Sequence, residues 1–157
     1  MFRHPPFFLP LALAVCLLLG AGAFAYMRFS ALSESVFRGS VLYAATGLDA
    51  SANLAGHMTG HTETLPTLAT RCSNCHLQRD AKPVADRQFG PVLTGDHLLK
   101  SIARRGGPPT VYDERSFCRV LRDGIDPASV IIDQAMPRYT ASDAQCQDLW
   151  NYLTRST

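Results

Sequence analysis

Cys72-Ser73-Asn74-Cys75-His76 constrains this chain more than any other feature. A C-x-x-C-H run is the attachment signature of a c-type haem, and a chain that carries one must fold around a flat, apolar group. The spacing has a chemical reason. Two thiols add across two vinyl groups on one edge of the macrocycle, and the next residue turns its imidazole onto the iron. On a helical turn Cys72, Cys75 and His76 stand at i, i+3 and i+4, so all three project from one face. Two other chemistries use paired cysteines. A structural zinc site needs four tetrahedral ligands, and Cys118 and Cys146 would have to join Cys72 and Cys75, although they do not form a second C-x-x-C knuckle. A thioredoxin-like dithiol needs a βαβ setting, and no such strand pattern flanks the motif. One covalently bound haem c with its iron is the favoured cofactor.

The N-terminus agrees with that cofactor, whose attachment is completed outside the bacterial cytoplasm. The chain opens Met1-Phe2-Arg3-His4 and then runs for 21 residues, Phe7 to Met27, without a charged side chain. As a signal peptide it offers small residues at Ala21-Gly22-Ala23 and Ala23-Phe24-Ala25, giving cleavage near Ala25 and a soluble periplasmic product. As a retained anchor it has the ~20 residues that a spanning helix needs. The anchor, residues 7–27, is favoured, with the body on the periplasmic side of the inner membrane. Arg3 before the span suits a cytoplasmic N-terminus, while Arg28 just after it reduces the asymmetry. Cys16 inside the run reads as a small apolar residue, since Val15 is too bulky for the position before a lipidated cysteine.

Removing Arg3 and Arg28 from the 15 basic residues leaves 13 against 13 acidic ones, so the exported part is formally neutral. It has no basic block with interleaved aromatics, and nucleic acid is excluded as a partner. About 130 residues remain, enough for one domain and one small core.

Three parts follow: residues 1–28 as leader or transmembrane anchor, 29–65 as spacer, and 66–157 as the haem domain. The spacer is rich in Ser, Thr, Ala and Gly, with a weakly amphipathic stretch around Ser35 to Tyr43. Beyond it the pattern predicts helices over Thr67–Leu77, over Asp96–Arg105 up to Gly106-Gly107-Pro108-Pro109, and over Asp113–Arg122 up to Gly124. A last helix opens with the capping box Ser142-x-x-Gln145 and carries the apolar stripe Leu149, Trp150, Leu153. No alternating strand pattern is evident, so the expected fold is all-α: about four helices around one haem, after an N-terminal signal or transmembrane helix.

The sixth iron position has countable candidates: Met136, Met58, His57, His61 and His97, or nothing. Met136 lies in Gln134-Ala135-Met136-Pro137-Arg138-Tyr139, where Pro137 removes a donor and keeps Met136 extended. Its thioether suits an electron carrier, because His/Met ligation raises the potential and closes the iron to small ligands. His57 and His61 read as a solvated loop and His97 as a surface imidazole. Lys82, Arg87, Lys100, Arg104 and Arg105 are candidate charges around a haem edge, each read singly as an ordinary solvated side chain.

The order Cys72–His76, then Phe89-Gly90-Pro91-Val92-Leu93, then Met136-Pro137 60 residues after His76, then Leu149-Trp150-Asn151-Tyr152-Leu153, resembles the class I monohaem cytochromes c over residues 66–156. The resemblance implies that Pro91 offers its carbonyl to the second nitrogen of His76 and that Trp150 packs the last helix across the haem helix. Met136-Pro137-Arg138-Tyr139 also resembles cytochrome domains that accompany periplasmic dehydrogenases. Two features depart from the simplest members. The spacer is one. The other is Cys118 and Cys146, an even remainder that argues for a disulfide in an oxidising compartment. The implied function is electron transfer between redox partners, such as dehydrogenase or oxidase subunits or other cytochromes, with no catalytic residues of its own. A haem sensor or peroxidase-like protein with an open sixth position is the alternative.

Overall fold

The computed structural model describes residues 8–48, 53–76 and 90–155. Lys82, Arg87 and Phe89 lie outside them. The described elements are α1 (Phe8–Ala44), β1 (Ala55–His57), a single 3-10 turn (Cys72–Asn74), α2 (Gly95–Leu99), α3 (Glu114–Asp123), β2 (Arg138–Thr140) and α4 (Asp143–Arg155). The fold is mostly helical. The two-stranded antiparallel sheet is absent from the all-α expectation, and three-residue strands are too short to display an alternating pattern.

The chain divides into two units, residues 1–34 and 35–157. In the first, α1 exposes Leu17, Leu18, Leu19, Phe24 and Tyr26, with Cys16 also exposed, and the helix is long and apolar enough to be a signal anchor or to cross a membrane.

The second unit corrects the expectation of a loose spacer over 29–65. The end of α1 buries Ser35, Gly39, Leu42 and Tyr43, which recur at helical spacing on one face. That face crosses α4. At Gly39 an added Cβ would lie 2.1 Å from the Asp148 carbonyl oxygen and 2.6 Å from Tyr152 Cβ, so only hydrogen fits. Polar groups fix the crossing: Ser35 Oγ donates to Asp148 Oδ1 (2.6 Å), Arg38 Nε to Asp148 Oδ2 (2.8 Å), and Asn151 Nδ2 to Ser35 Oγ (3.0 Å). Further along the same expected spacer, β1 pairs with β2 in the register Ala55↔Thr140, Gly56↔Tyr139 and His57↔Arg138. A weak amphipathic signal concealed this order because the stripe contains Ser and Gly in place of large apolar residues.

The other helices follow their local chemistry. Asp113 and Ser116 form a reciprocal cap at the start of α3, and Gly124 closes it in the left-handed region at φ 69°. Ser142 and Gln145 do the same for α4. Cys118 on α3 and Cys146 on α4 form a disulfide with their Cα atoms 5.4 Å apart. Two expected helices are shorter. Only Gly95–Leu99 of Asp96–Arg105 is helical, because the buried Arg104 guanidinium gathers the carbonyls of His97, Ile102 and Thr110, and Ile102 pairs with Thr110 across the Gly-Pro turn. Of Thr67–Leu77, the described residues 67–76 are turns around one 3-10 segment, since Arg71 is extended at ψ 122° and breaks any helical run into Cys72, while Leu77 lies outside the described residues. Leu42, Leu98, Phe117, Leu121, Leu149 and Leu153 form the centre of the core.

Candidate functional site

The Cys72–His76 segment closes one helical turn on itself. The His76 amide donates to the Cys72 carbonyl over 2.9 Å, an i to i−4 bond that stacks Cys72, Cys75 and His76 as neighbours. Cys72 is buried and Cys75 half-buried. Burial pushes the Cys72 thiol up to about 12, so it rests protonated.

The His76 ring is oriented from outside. Its Nδ1 lies 2.8 Å from the Pro91 carbonyl, which accepts only and therefore places the proton on Nδ1 and leaves the Nε2 lone pair free. Burial lowers the His76 pKa, partly opposed by that hydrogen bond, so the imidazole is neutral and able to ligate near pH 7. Gly90 makes the approach possible: a Cβ there would stand 2.4 Å from the His76 ring. The Gly90 amide also donates to the Cys75 carbonyl (3.1 Å), tying the two segments.

These groups border an apolar cavity of about 300 Å³. Cys72, His76, Pro91 and Met136 all line it, with walls from Leu98, Phe117, Leu149 and Leu153. Met136 and Cys75 also share a smaller groove beside the cavity with Pro91 and Pro137. Met136 is half-buried and held by its own neighbours: its amide donates to the Asp133 carbonyl (3.2 Å) and its carbonyl accepts from buried Arg138 (2.6 Å).

The other candidates separate. His57 sits on β1 opposite Arg138, Met58 follows it and His61 is exposed; none borders the cavity. His97, expected as a surface imidazole, is instead half-buried and lines the cavity, because α2 starts four residues after Pro91 and turns inward through Leu98. Burial, and then the charge of Arg104, lower its pKa. Trp150 stands on α4 away from the cavity and packs on Phe117 with ring centroids 5.6 Å apart; Leu149 and Leu153, on the adjoining face, take the wall. Lys100 pairs with Asp96 at the surface (3.2 Å).

Sequence reading missed two buried tyrosines of the cavity, and named Arg104 and Arg105 only among candidate charges around a haem edge. Tyr43 and Tyr139 border the cavity, buried, with phenols raised well above the usual range chiefly by desolvation. Arg104 and Arg105 stand at its edge. Arg104 is 8% exposed, meets neutral carbonyls and the Tyr112 ring (4.9 Å), and keeps a buried Nε without a partner among the described residues. Arg105 adopts φ 49°, a left-handed backbone uncommon outside glycine. A tandem of basic residues before Gly-Gly was the available signal, and nothing in it distinguishes a buried guanidinium from a solvated one.

The arrangement suits a flat apolar group with anionic substituents. The cavity has mainly apolar walls, Cys72 and His76 line it together with Cys75 in the adjoining groove, and the Arg104 guanidinium that also lines it has no carboxylate partner among the described residues. The zinc alternative loses its donors, since Cys118 and Cys146 are bonded to each other, and no cluster of three or more His, Cys, Asp or Glu is placed to hold a metal among the described residues. Comparison with protein-family models, with curated proteins and with solved structures finds no match.

Proposed function

We propose that this protein is a monohaem c-type cytochrome of the class I kind, which passes single electrons between redox partners on the periplasmic side of a bacterial inner membrane. Residues 7–27 anchor it there, or cleavage near Ala25 releases it. The observation that carries this reading is the His76 imidazole, oriented by the Pro91 carbonyl with its Nε2 free, beside the buried Cys72 and in the same apolar cavity as Met136.

Cys72 and Cys75 would hold the haem covalently, His76 and Met136 would ligate its iron, and Arg104 and Arg105 would receive its propionates. When bound, haem c supplies a one-electron iron couple. The residues do the rest. The Pro91 carbonyl fixes the tautomer of His76 and strengthens it as a donor. Leu98, Phe117, Leu149 and Leu153 exclude water from the cavity, and Met136, which lines the same cavity as His76, would be the second iron ligand. No residue pair suited to acid–base work on a substrate is required, and the protein is a carrier in this reading.

The test is the optical spectrum of the exported protein, oxidised and reduced, beside Met136→Ala, with solvent extraction. Extraction-resistant haem and a methionine-to-iron charge-transfer band lost in the variant are expected. Haem that extracts, or no haem, overturns the proposal. A specific observation supports a second reading: His97 also lines the cavity, so an iron ligated by His97 or left open, as in a sensor or peroxidase-like protein, predicts a spectrum unchanged by Met136→Ala.

A further inference from the structure

Both ends of the attachment segment are held by phenol hydroxyls from outside it. Tyr43, near the end of α1, donates to the His76 carbonyl, and Tyr139, on β2, donates to the Thr70 carbonyl over 3.0 Å. The two bonds differ in what lies behind them. Tyr139 stands on β2, three residues after Met136, whose loop runs directly into that strand, whereas Tyr43 belongs to a helix remote in sequence from the methionine.

The structure makes room for the reach of Tyr139 to Thr70. Tyr139 pairs with Gly56 of β1, and its ring passes over that glycine toward Thr70. A Cβ at Gly56 would stand 3.0 Å from Thr70 Cγ2 and 3.3 Å from the Tyr139 ring, tighter than ordinary contact. Thr70 is fixed in turn, its hydroxyl donating to the Thr67 carbonyl (3.1 Å). Met136's own hydrogen bonds run to Asp133 and Arg138, within its own loop and strand. Tyr139 is therefore the hydrogen-bonded link between the strand that follows the methionine loop and the segment leading into Cys72 among the described residues.

We propose that Tyr139 is a positioning residue that latches the Met136 loop, through β2, onto the segment that leads into Cys72–His76, and so holds Met136 in place as an iron ligand. The inference rests on the haem reading above. It assigns a role in ligand closure to β1, a part of the chain that precedes the attachment motif, because Gly56 gives Tyr139 its path.

The experiment titrates the ferric holoprotein with imidazole, a ligand that binds iron only when Met136 has swung away, and follows denaturant unfolding of the same samples. Tyr139→Phe should raise apparent imidazole affinity roughly fivefold, the factor one buried hydrogen bond supports. Gly56→Ala should shift it in the same direction. Tyr43→Phe removes a comparable bond at the other end, and should lower the unfolding midpoint by a similar amount while imidazole affinity stays within about twofold. Equal affinity gains in Tyr139→Phe and Tyr43→Phe, or no gain in Tyr139→Phe, overturn the latch and leave the haem reading intact. Wild-type protein lacking extraction-resistant haem overturns the functional reading and the latch with it.

Discussion

Helices α3 and α4 and the Cys72–His76 segment sit side by side in one small body, yet they are built in opposite ways. Asp113 meets Ser116 and Ser142 meets Gln145 across three residues, so each helix start is specified within one turn of chain. The attachment segment has one 3-10 turn of its own. Its shape comes from partners 15, 33 and 69 residues away: the Pro91 carbonyl, Tyr43 and Tyr139. A framework of local signals can form early, while a site held by distant side chains exists only when the body around it is complete. On the proposed haem reading the difference has a functional use, because an opening for a rigid planar group is defined by its surroundings better than by a local preference.

Gly39→Leu should test this division most severely. The new side chain overlaps the α4 backbone, and overpacking at a helix crossing should cost more than about 3 kcal/mol in urea denaturation. Signals from the site should be lost at lower urea than the helical signal of α3 and α4, because α1 carries Tyr43 while the disulfide and caps still hold the other two helices. Coincident loss of both signals would erase the proposed contrast. Next in size is the disulfide. Cys118→Ala with Cys146→Ala opens a bridge spanning 28 residues, for an expected loss of about 3 kcal/mol by loop closure. Its visible spectrum should remain that of the wild type, since neither cysteine borders the cavity; an altered spectrum would show that the framework and the site are less separable than the contact pattern implies.

The same division explains which parts could be read from the chain. The α3 and α4 starts, the Gly124 stop and the Cys118–Cys146 bridge were legible because each is written in adjacent residues or in a parity of cysteines. The helix expected over Thr67–Leu77 was wrong: i, i+3 and i+4 spacing needs only one turn, and Arg71 ends the helical run just before it. The tether expected over 29–65 failed for another reason. Gly39 and Gly56 are there to let other chains of atoms pass close, and a glycine in a sequence does not say what approaches it. The inward turn of His97 and the burial of Arg104 likewise depend on neighbours far along the chain, which no window of residues around them contains.

Gly90→Ala is the converse of the disulfide variant. Its Cβ would press the His76 ring off the Pro91 carbonyl, at a stability cost of about 1–3 kcal/mol for the overlap. The expected signature is a changed haem spectrum with α3 and α4 intact by circular dichroism. An unperturbed spectrum would mean that the ring tolerates displacement and that the Pro91 bond is not what orients it.

Asp113→Ala should have the smallest effect and the most local one. The carboxylate accepts from the Ser116 amide (2.7 Å) and from its hydroxyl (2.5 Å), and removing such a cap costs about 1 kcal/mol. Those two bonds hold the Asp113 pKa below the usual 3.8, so the charged form is the one that folding favours. The unfolded state then binds more protons than the folded one in that range, and stability falls as pH falls. The cap is therefore fully present above the ordinary carboxylate range and is lost as pH drops below 3.8 through the lower folded value. Wild type and Asp113→Ala should differ in thermal midpoint at pH 7 and converge toward pH 3, with superimposable haem spectra throughout. A difference that persists undiminished in acid would assign the effect to packing at the start of α3, and a spectral change would carry this cap across the boundary between framework and site.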